Sequence, residues 1–130
     1  MPSIDRPLSG DVLLFDLAKE RERSVETPGL LASGRSARTL LKHGHLRVIL
    51  VSLAAGGELA EHQADGPITL QPLDGTIRFT THDRSYDVAP GEMLSAGPGV
   101  RHSVSTRKGA SFLLTIATAD DGTADARALG

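Results

Sequence analysis

The sequence predicts an all-β domain, a sandwich or barrel of short strands, preceded by one short helix. The chain has 130 residues and no cysteine, and a single domain of this length buries a core that needs no disulfide. From residue 36 onward, short apolar or alternating runs are separated by turn residues, which is typical of antiparallel β domains. We therefore divide the chain into an N-terminal lead-in with the helix (1–35), a β domain (36–118) and a flexible C-terminal tail (119–130), which is small, polar and charged.

The helix is predicted over residues 15–22, which are rich in strong helix formers, with Asp11 or Asp16 available as an acidic residue near its start. The run Thr-Pro-Gly at 27–29 is expected to stop this helix. Within the β domain, the pair Asp74-Gly75 lies between two β-prone runs and predicts a hairpin turn. The predicted strands cover 39–42, 46–53, 68–73, 76–81, 85–88, 92–95, 102–106 and 111–118.

The composition argues against nucleic-acid and membrane partners. The formal net charge is −2, from 14 basic and 16 acidic residues mixed along the chain, so no basic stripe is available to neutralise phosphates. One Tyr, three Phe and no Trp offer few rings for base stacking. The longest early apolar run, 12–15, is too short for a signal-peptide core or a membrane span. We expect a cytoplasmic protein with no nucleic-acid or membrane contact.

Two segments carry the most specific information in the chain. The first runs from Gly57 to Gly75 and contains His62, and the second runs from Gly91 through Pro98-Gly99 to His102. In order and spacing they resemble the two motifs of the cupin superfamily. The resemblance implies a single-domain jelly-roll β-barrel in which both histidines point into the barrel. It also implies a homodimer, since small cupins often pair through sheet edges or terminal strands.

The departures from the cupin motifs bear on function. Ala64 occupies the position of the second histidine, Ile68 that of the glutamate, and Thr106 one where the family often has Asn. The resemblance thus implies a degenerate metal site in which only His62 and His102 are left as ligands. A catalytic transition-metal site usually takes three protein ligands. We therefore expect no cofactor, with a divalent transition metal on these two histidines as the alternative.

Neighbouring polar residues are poor substitutes for the missing ligands. Glu61 and Gln63 flank His62, and strand alternation turns them to the opposite face. Asp65 lies in the following turn and reaches inward only if that turn folds over the site. Gln71 differs in parity from the apolar residues of its strand and is expected to face away.

The other histidines are expected at the surface. His43 and His45 flank a glycine in a predicted tight turn, and His82 lies in a predicted hairpin turn. Arg78 lies between two apolar residues and takes the opposite face of its strand. It is either solvated or paired with an acidic side chain such as Asp87.

Three functions remain open. The first is a small-molecule binding module, because a barrel that has lost two ligands keeps an apolar concave site with few polar groups. The second is a divalent-metal-dependent enzyme of the oxygenase or isomerase type that uses His62 and His102. The third is a structural role as a dimer, in which the segment before residue 36 contacts the partner. The predicted pocket consists of His62, Ala64, Ile68, Leu70, Phe79, His102, Val104, Phe112 and Leu114.

Overall fold

The structure, a computed structural model, describes residues 8–118. The predicted flexible tail, 119–130, and the first seven residues of the lead-in lie outside the described part. The described residues form two helices and nine strands. In chain order these are α1 (Leu17–Val25), α2 (Pro28–Ser33), β1 (Arg35–His43), β2 (Leu46–Leu53), β3 (Glu58–His62), β4 (Ile68–Asp74), β5 (Ile77–Thr80), β6 (Ser85–Val88), β7 (Leu94–Ala96), β8 (His102–Ser105) and β9 (Ala110–Ala117).

The N-terminal segment contains two helices where one was predicted. Asp16 caps α1 by accepting a 3.1 Å hydrogen bond from the amide of Lys19, as its position before the helix formers suggests. The run at 27–29 was expected to stop the first helix, and α1 does end just before it, at Val25. The second helix, which starts within the run, was not predicted. Pro28 is the first residue of α2, because proline's fixed φ suits the first turn of a helix, where no amide donor is needed. No helix among residues 8–118 is long and apolar enough to cross a membrane.

The strands form two antiparallel sheets that share one core. The larger sheet has the order β1-β2-β9-β4-β7 and the smaller one β3-β8-β5-β6. Apolar side chains from both sheets meet in a single cluster. The all-β prediction is confirmed as a two-sheet sandwich, and no strand pair joins the two sheets into a closed barrel within the described part of the chain.

Short connections set which strands face each other across the sandwich. Residues 54–57 link β2 to β3, 75–76 link β4 to β5, and 106–109 link β8 to β9, and connections this short usually join elements that are adjacent in space. As a result β3 lies across from β2, β5 from β4 and β8 from β9. Packed sheets of this kind are about 10 Å apart.

The prediction of a hairpin turn at Asp74-Gly75 was wrong. β4 pairs with β7 and β9, whereas β5 pairs with β6 and β8, so this turn carries the chain from one sheet to the other. Gly75 has φ +78°, and a Cβ there would overlap the carbonyl oxygen of Gly109. Glycine is needed for the bend and for the close approach of the two connections, rather than for a two-residue hairpin.

Helix α1 packs against the outer face of the larger sheet through polar side chains. Ser24 donates a 2.7 Å hydrogen bond to Ser52, which is bonded at 2.7 Å to Ser111, and all three are buried. Glu20, also buried, accepts a 2.7 Å hydrogen bond from Arg38. Because these buried polar groups have partners, their desolvation is offset, and the helix is held without an apolar stripe.

Candidate functional site

The two motif histidines meet on the inner face of the smaller sheet. His62 ends β3, His102 begins β8, and they are direct cross-strand partners, so their side chains leave the same face. Leu59 pairs with Val104, so the advance of three residues from Leu59 to His62 on β3 lies opposite an advance of only two residues on β8. This bulge lets both Leu59 and His62 face inward despite their odd spacing. The two imidazole centroids are 4.4 Å apart with an interplanar angle of 61°.

Backbone carbonyls fix the orientation of both rings. His62 Nδ1 lies 2.7 Å from the carbonyl oxygen of Ala60, and His102 Nδ1 lies 2.9 Å from that of Val100. Since a carbonyl only accepts, each Nδ1 carries the donating hydrogen. Within residues 8–118 no hydrogen bond engages either Nε2. The site therefore holds two neighbouring Nε2 atoms available to a ligand.

His102 is the buried member of the pair, with 3% of its surface exposed. Its ring stacks on Phe79 at a centroid distance of 4.7 Å and an angle of 20°. Burial lowers the pKa of His102 below its ordinary value. The hydrogen bond to Val100 opposes this shift, and the charge of His62 adds to it. His102 is accordingly neutral at neutral pH, when Nε2 is an acceptor.

We expect the free energy of unfolding to fall more steeply on acidification in the wild type than in His102→Asn. The folded-state pKa of His102 lies below the ordinary 6.5, so between these two values the unfolded chain binds more protons than the folded chain. The stability contributed by neutral His102 is complete above the unfolded pKa and is lost as the pH falls through the folded pKa. Urea unfolding at several values between about pH 8 and pH 5 measures this difference.

The matched control for this measurement is His82→Asn, because His82 is exposed in the β5–β6 turn. Its pH dependence should equal that of the wild type. An equal slope in the wild type and His102→Asn would contradict the prediction.

Most of the predicted pocket residues lie together between the sheets. His62 is half-buried, and the other eight are buried. The seven apolar ones belong to the shared core. The sequence therefore identified residues that the fold does bring together, and that they enclose a ligand stays a prediction. The seven are Ala64, Ile68, Leu70, Phe79, Val104, Phe112 and Leu114.

The surface predictions are confirmed. His43, His45 and His82 are all exposed. Arg78 faces outward and binds both carboxylate oxygens of Asp87, through Nε at 2.9 Å and Nη2 at 3.2 Å. This hydrogen-bonded pair lowers the pKa of Asp87 and raises that of Arg78.

Two cavities adjoin the core. One of about 540 Å³ opens between the edge strands β6 and β7, and Phe79 forms part of its wall. Its rim carries Tyr86 and Met93, which are 38% and 60% exposed. Phe79 also stacks on His102, whereas neither histidine of the pair lines this cavity. The other, of about 670 Å³, is lined by polar groups that include Arg78 and Lys108.

Arg47 was not predicted to be a site residue, although it is the one charged residue in the apolar run of β2. It shares parity with Ile49, Val51 and Leu53, which belong to the core, and it pairs with buried Ile116 of β9. Arg47 is 6% exposed. Its Nε and Nη2 are buried and have no hydrogen-bond partner within the described residues, which is uncommon for a guanidinium.

Solved structures with the same arrangement of strands decide the fold. The chain matches a cupin superfamily protein of Desulfitobacterium hafniense with a TM-score of 0.62 and 19% identity, over 65% of this chain and 77% of that one. The fold is that of a cupin. A cupin-2 domain protein of Shewanella frigidimarina agrees, with a TM-score of 0.65 and 16% identity over 78% and 92% of the two chains.

A conserved Streptococcus pyogenes protein of unknown function also matches, with a TM-score of 0.68 and 20% identity over 88% and 94% of the two chains. No protein-family model and no curated protein matches the sequence. The cupin resemblance read from the two motifs is thus confirmed at the level of the fold.

The residues present do not fit the divalent metal that cupin motifs imply. Ala64 and Ile68, at two of the motif's ligand positions, are buried apolar side chains. Asp65, the remaining candidate in the adjacent turn, is exposed. Within residues 8–118 no group of three or more His, Asp or Glu side chains is arranged to hold a metal ion. Two imidazoles alone fall short of the usual three protein ligands.

Proposed function

We propose that this cupin-fold protein binds a small organic molecule between its sheets, at the His62–His102 pair. The observation that carries the proposal is the pair of adjacent Nε2 atoms, each left without a hydrogen bond in residues 8–118 while Nδ1 is held by a backbone carbonyl. Neither Nε2 is among the buried polar atoms that lack a partner in residues 8–118, so both are open to a ligand. A few convergent polar groups in apolar surroundings are the usual composition of a ligand site.

The chemistry of the pair selects the type of ligand group. Neutral His102 presents Nε2 as an acceptor, since Nδ1 carries the hydrogen. A hydroxyl or amino group of the ligand is therefore the suitable donor. Phe79 and Val104 supply apolar walls beside the imidazole.

Thermal unfolding against a panel of small hydroxylated and aminated compounds tests the proposal. A ligand at 100 times its Kd stabilises by about 2.7 kcal/mol, which raises the melting temperature of a domain of this size by about 10 °C. His102→Phe should lose this response, because it keeps a ring against Phe79 but removes the acceptor. His82→Phe, in the exposed turn, is the control and should respond like the wild type. Equal responses in His102→Phe and the wild type would rule out the pair as the binding site.

The alternative of a divalent-metal-dependent enzyme has one observation in its favour. Histidines that ligate metals usually donate their other ring N–H to a carbonyl or carboxylate, as His62 and His102 do. Elemental analysis of protein purified without chelators decides this alternative. Near-stoichiometric transition metal that disappears in His62→Ala would establish it. The donor set of two imidazoles leads us to expect substoichiometric metal that is unaffected by the substitution.

We also propose that the chain forms a homodimer through its N-terminal segment. Leu14 and Leu31 are 96% and 87% exposed, and Val12 is 87% exposed, and apolar side chains grouped in one exposed segment commonly mark an interaction surface. Sedimentation should show a dimer for the wild type and a monomer for the double variant Leu14→Glu, Leu31→Glu. Met93→Glu, at an exposed apolar position on the cavity rim, should remain dimeric. A monomeric wild type would overturn the proposal.

A further inference from the structure

Arg47 lies at the same end of the sandwich as the histidine pair. Along the larger sheet, Arg47 is aligned with Ile116, Ile116 with Ile68, and Ile68 with Ala96. The loop after His62 leads directly into Ile68, and the loop after Ala96 leads to His102. The two loops are joined where the amide of Gly99 donates a 3.0 Å hydrogen bond to the carbonyl of Ala64.

The strand arrangement places Arg47 opposite His62. β2 lies across from β3, because residues 54–57 connect them directly. Arg47, near the start of β2, and His62, at the end of β3, therefore lie at the same end of the sandwich. Arg47 shares parity with Ile49 and Val51 of the core, so its side chain leaves β2 toward the inner side of the sandwich. The interior at this end therefore holds one guanidinium and two imidazoles among apolar side chains.

The unpartnered atoms of Arg47 are those that bind one carboxylate in bidentate fashion. Nε–H and Nη2–H lie on one edge of the guanidinium and point in parallel, matching the two oxygens of a carboxylate. Arg78 shows this arrangement in the same protein, where its Nε and Nη2 bind the two oxygens of Asp87. In Arg47 the same two atoms are buried and free of hydrogen bonds within residues 8–118. A buried charge without a partner carries a large desolvation penalty, which a bound anion would offset.

We propose that the ligand is a small hydroxy acid whose carboxylate binds the Nε–Nη2 edge of Arg47 and whose hydroxyl donates to the histidine pair. This inference rests on the proposed function, because both groups belong to one binding site. A carboxylate is favoured over a phosphate because a single guanidinium balances the single charge of a carboxylate. A phosphate carries up to two charges near neutral pH, and no second cation lies on the inner face at this end among the described residues.

Replacing Arg47 by Met separates a ligand-binding role from a structural one. Met keeps much of the length of the side chain and removes the charge. If the guanidinium serves a ligand, the ligand-free variant should be more stable than the wild type, with a melting temperature higher by about 5 °C. If a carboxylate of the chain pairs with Arg47, the ligand-free variant should be less stable, and that result would overturn the inference.

The binding test compares each of four hydroxy acids, glycolate, lactate, 3-hydroxybutyrate and mandelate, with its neutral amide. Inorganic phosphate is tested as an additional ligand. Thermal shift and calorimetry should show that at least one acid binds the wild type and its amide does not. Binding should be at least about 30-fold weaker in Arg47→Met and unchanged in Arg107→Met, where the arginine is exposed in the β8–β9 connection.

Each other outcome has a distinct meaning. Amides that bind as tightly as the acids, with no effect of Arg47→Met but a loss in His102→Phe, would overturn the inference and leave the proposed function standing. Phosphate that binds more tightly than every acid, in an Arg47-dependent way, would overturn the carboxylate assignment. If neither acids nor amides bind and His102→Phe changes nothing, both the inference and the proposed function fail.

Discussion

Gly66→Ala is expected to lower the free energy of unfolding by about 3 kcal/mol. Gly66 is buried in the loop between β3 and β4, and a Cβ at this position would overlap the carbonyl oxygen of Ala117. The loop cannot retreat easily, because the amide of Ala117 donates a 3.1 Å hydrogen bond to the carbonyl of Pro67, the next residue. Relief of the overlap requires movement of backbone on both sides of the contact. Urea unfolding of the purified variant measures the loss.

The loop at the same end between β7 and β8 provides the control. Gly97 lacks a positive φ, and a Cβ there would meet nothing within 4 Å. Gly97→Ala should therefore leave the stability within about 0.5 kcal/mol of the wild type. If Gly66→Ala and Gly97→Ala are equally stable, the loop between β3 and β4 does not approach β9 as closely as the structure shows.

Phe112→Ala is expected to cost about 3–5 kcal/mol, because it removes a large ring from the centre of the shared core and leaves a cavity. Phe112 lies on β9, has no exposed surface, and belongs to the apolar cluster formed by both sheets. The variant is expected to unfold at a much lower urea concentration with a similar dependence on denaturant.

Its neighbour Leu113 is the matched control. Leu113 follows Phe112 on the same strand, faces the opposite side and is half-buried, so Leu113→Ala should cost less than half as much. A similar cost for both variants would show that β9 does not direct Phe112 into the core. That result would also remove the structural basis for the predicted pocket residues, Phe112 and Leu114 among them.

Most strand positions were well predicted because turns and apolar runs are local features of sequence, whereas β3, Glu58–His62, was not among the predicted strands. The run Leu46–Leu53 is a strand in the prediction and in the structure. The β5–β6 hairpin around His82 was also anticipated. Errors arose where a local signal has two structural meanings. Asp74-Gly75 suits any sharp bend, and only the partners of β4 and β5 show that this bend joins two sheets. Pro28 suits both the end of one helix and the start of another.

Some features of the candidate site could likewise be predicted from the sequence, and others could not. Motif spacing predicted that His62 and His102 face a common interior, and the structure pairs them across β3 and β8. The bulge that turns Leu59 inward with His62 is invisible to simple alternation, because it depends on the register with β8. The inward orientation of Arg47 was not predicted, because a continuous apolar run does not indicate which residues of the strand face the core.

The sequence by itself determined the all-β class, most of the strands and the apolar residues Ala64 and Ile68 at two ligand positions of the motifs that it resembles, since these depend on residue type and local order. Only the tertiary structure decided how the two histidine rings are held and which other polar group lies at their end of the sandwich. A carbonyl two residues before each histidine fixes its ring, and β2 carries an unpartnered guanidinium to the same end of the sandwich. These features depend on register and on which strands face each other, and both are set by contacts between residues far apart in the chain.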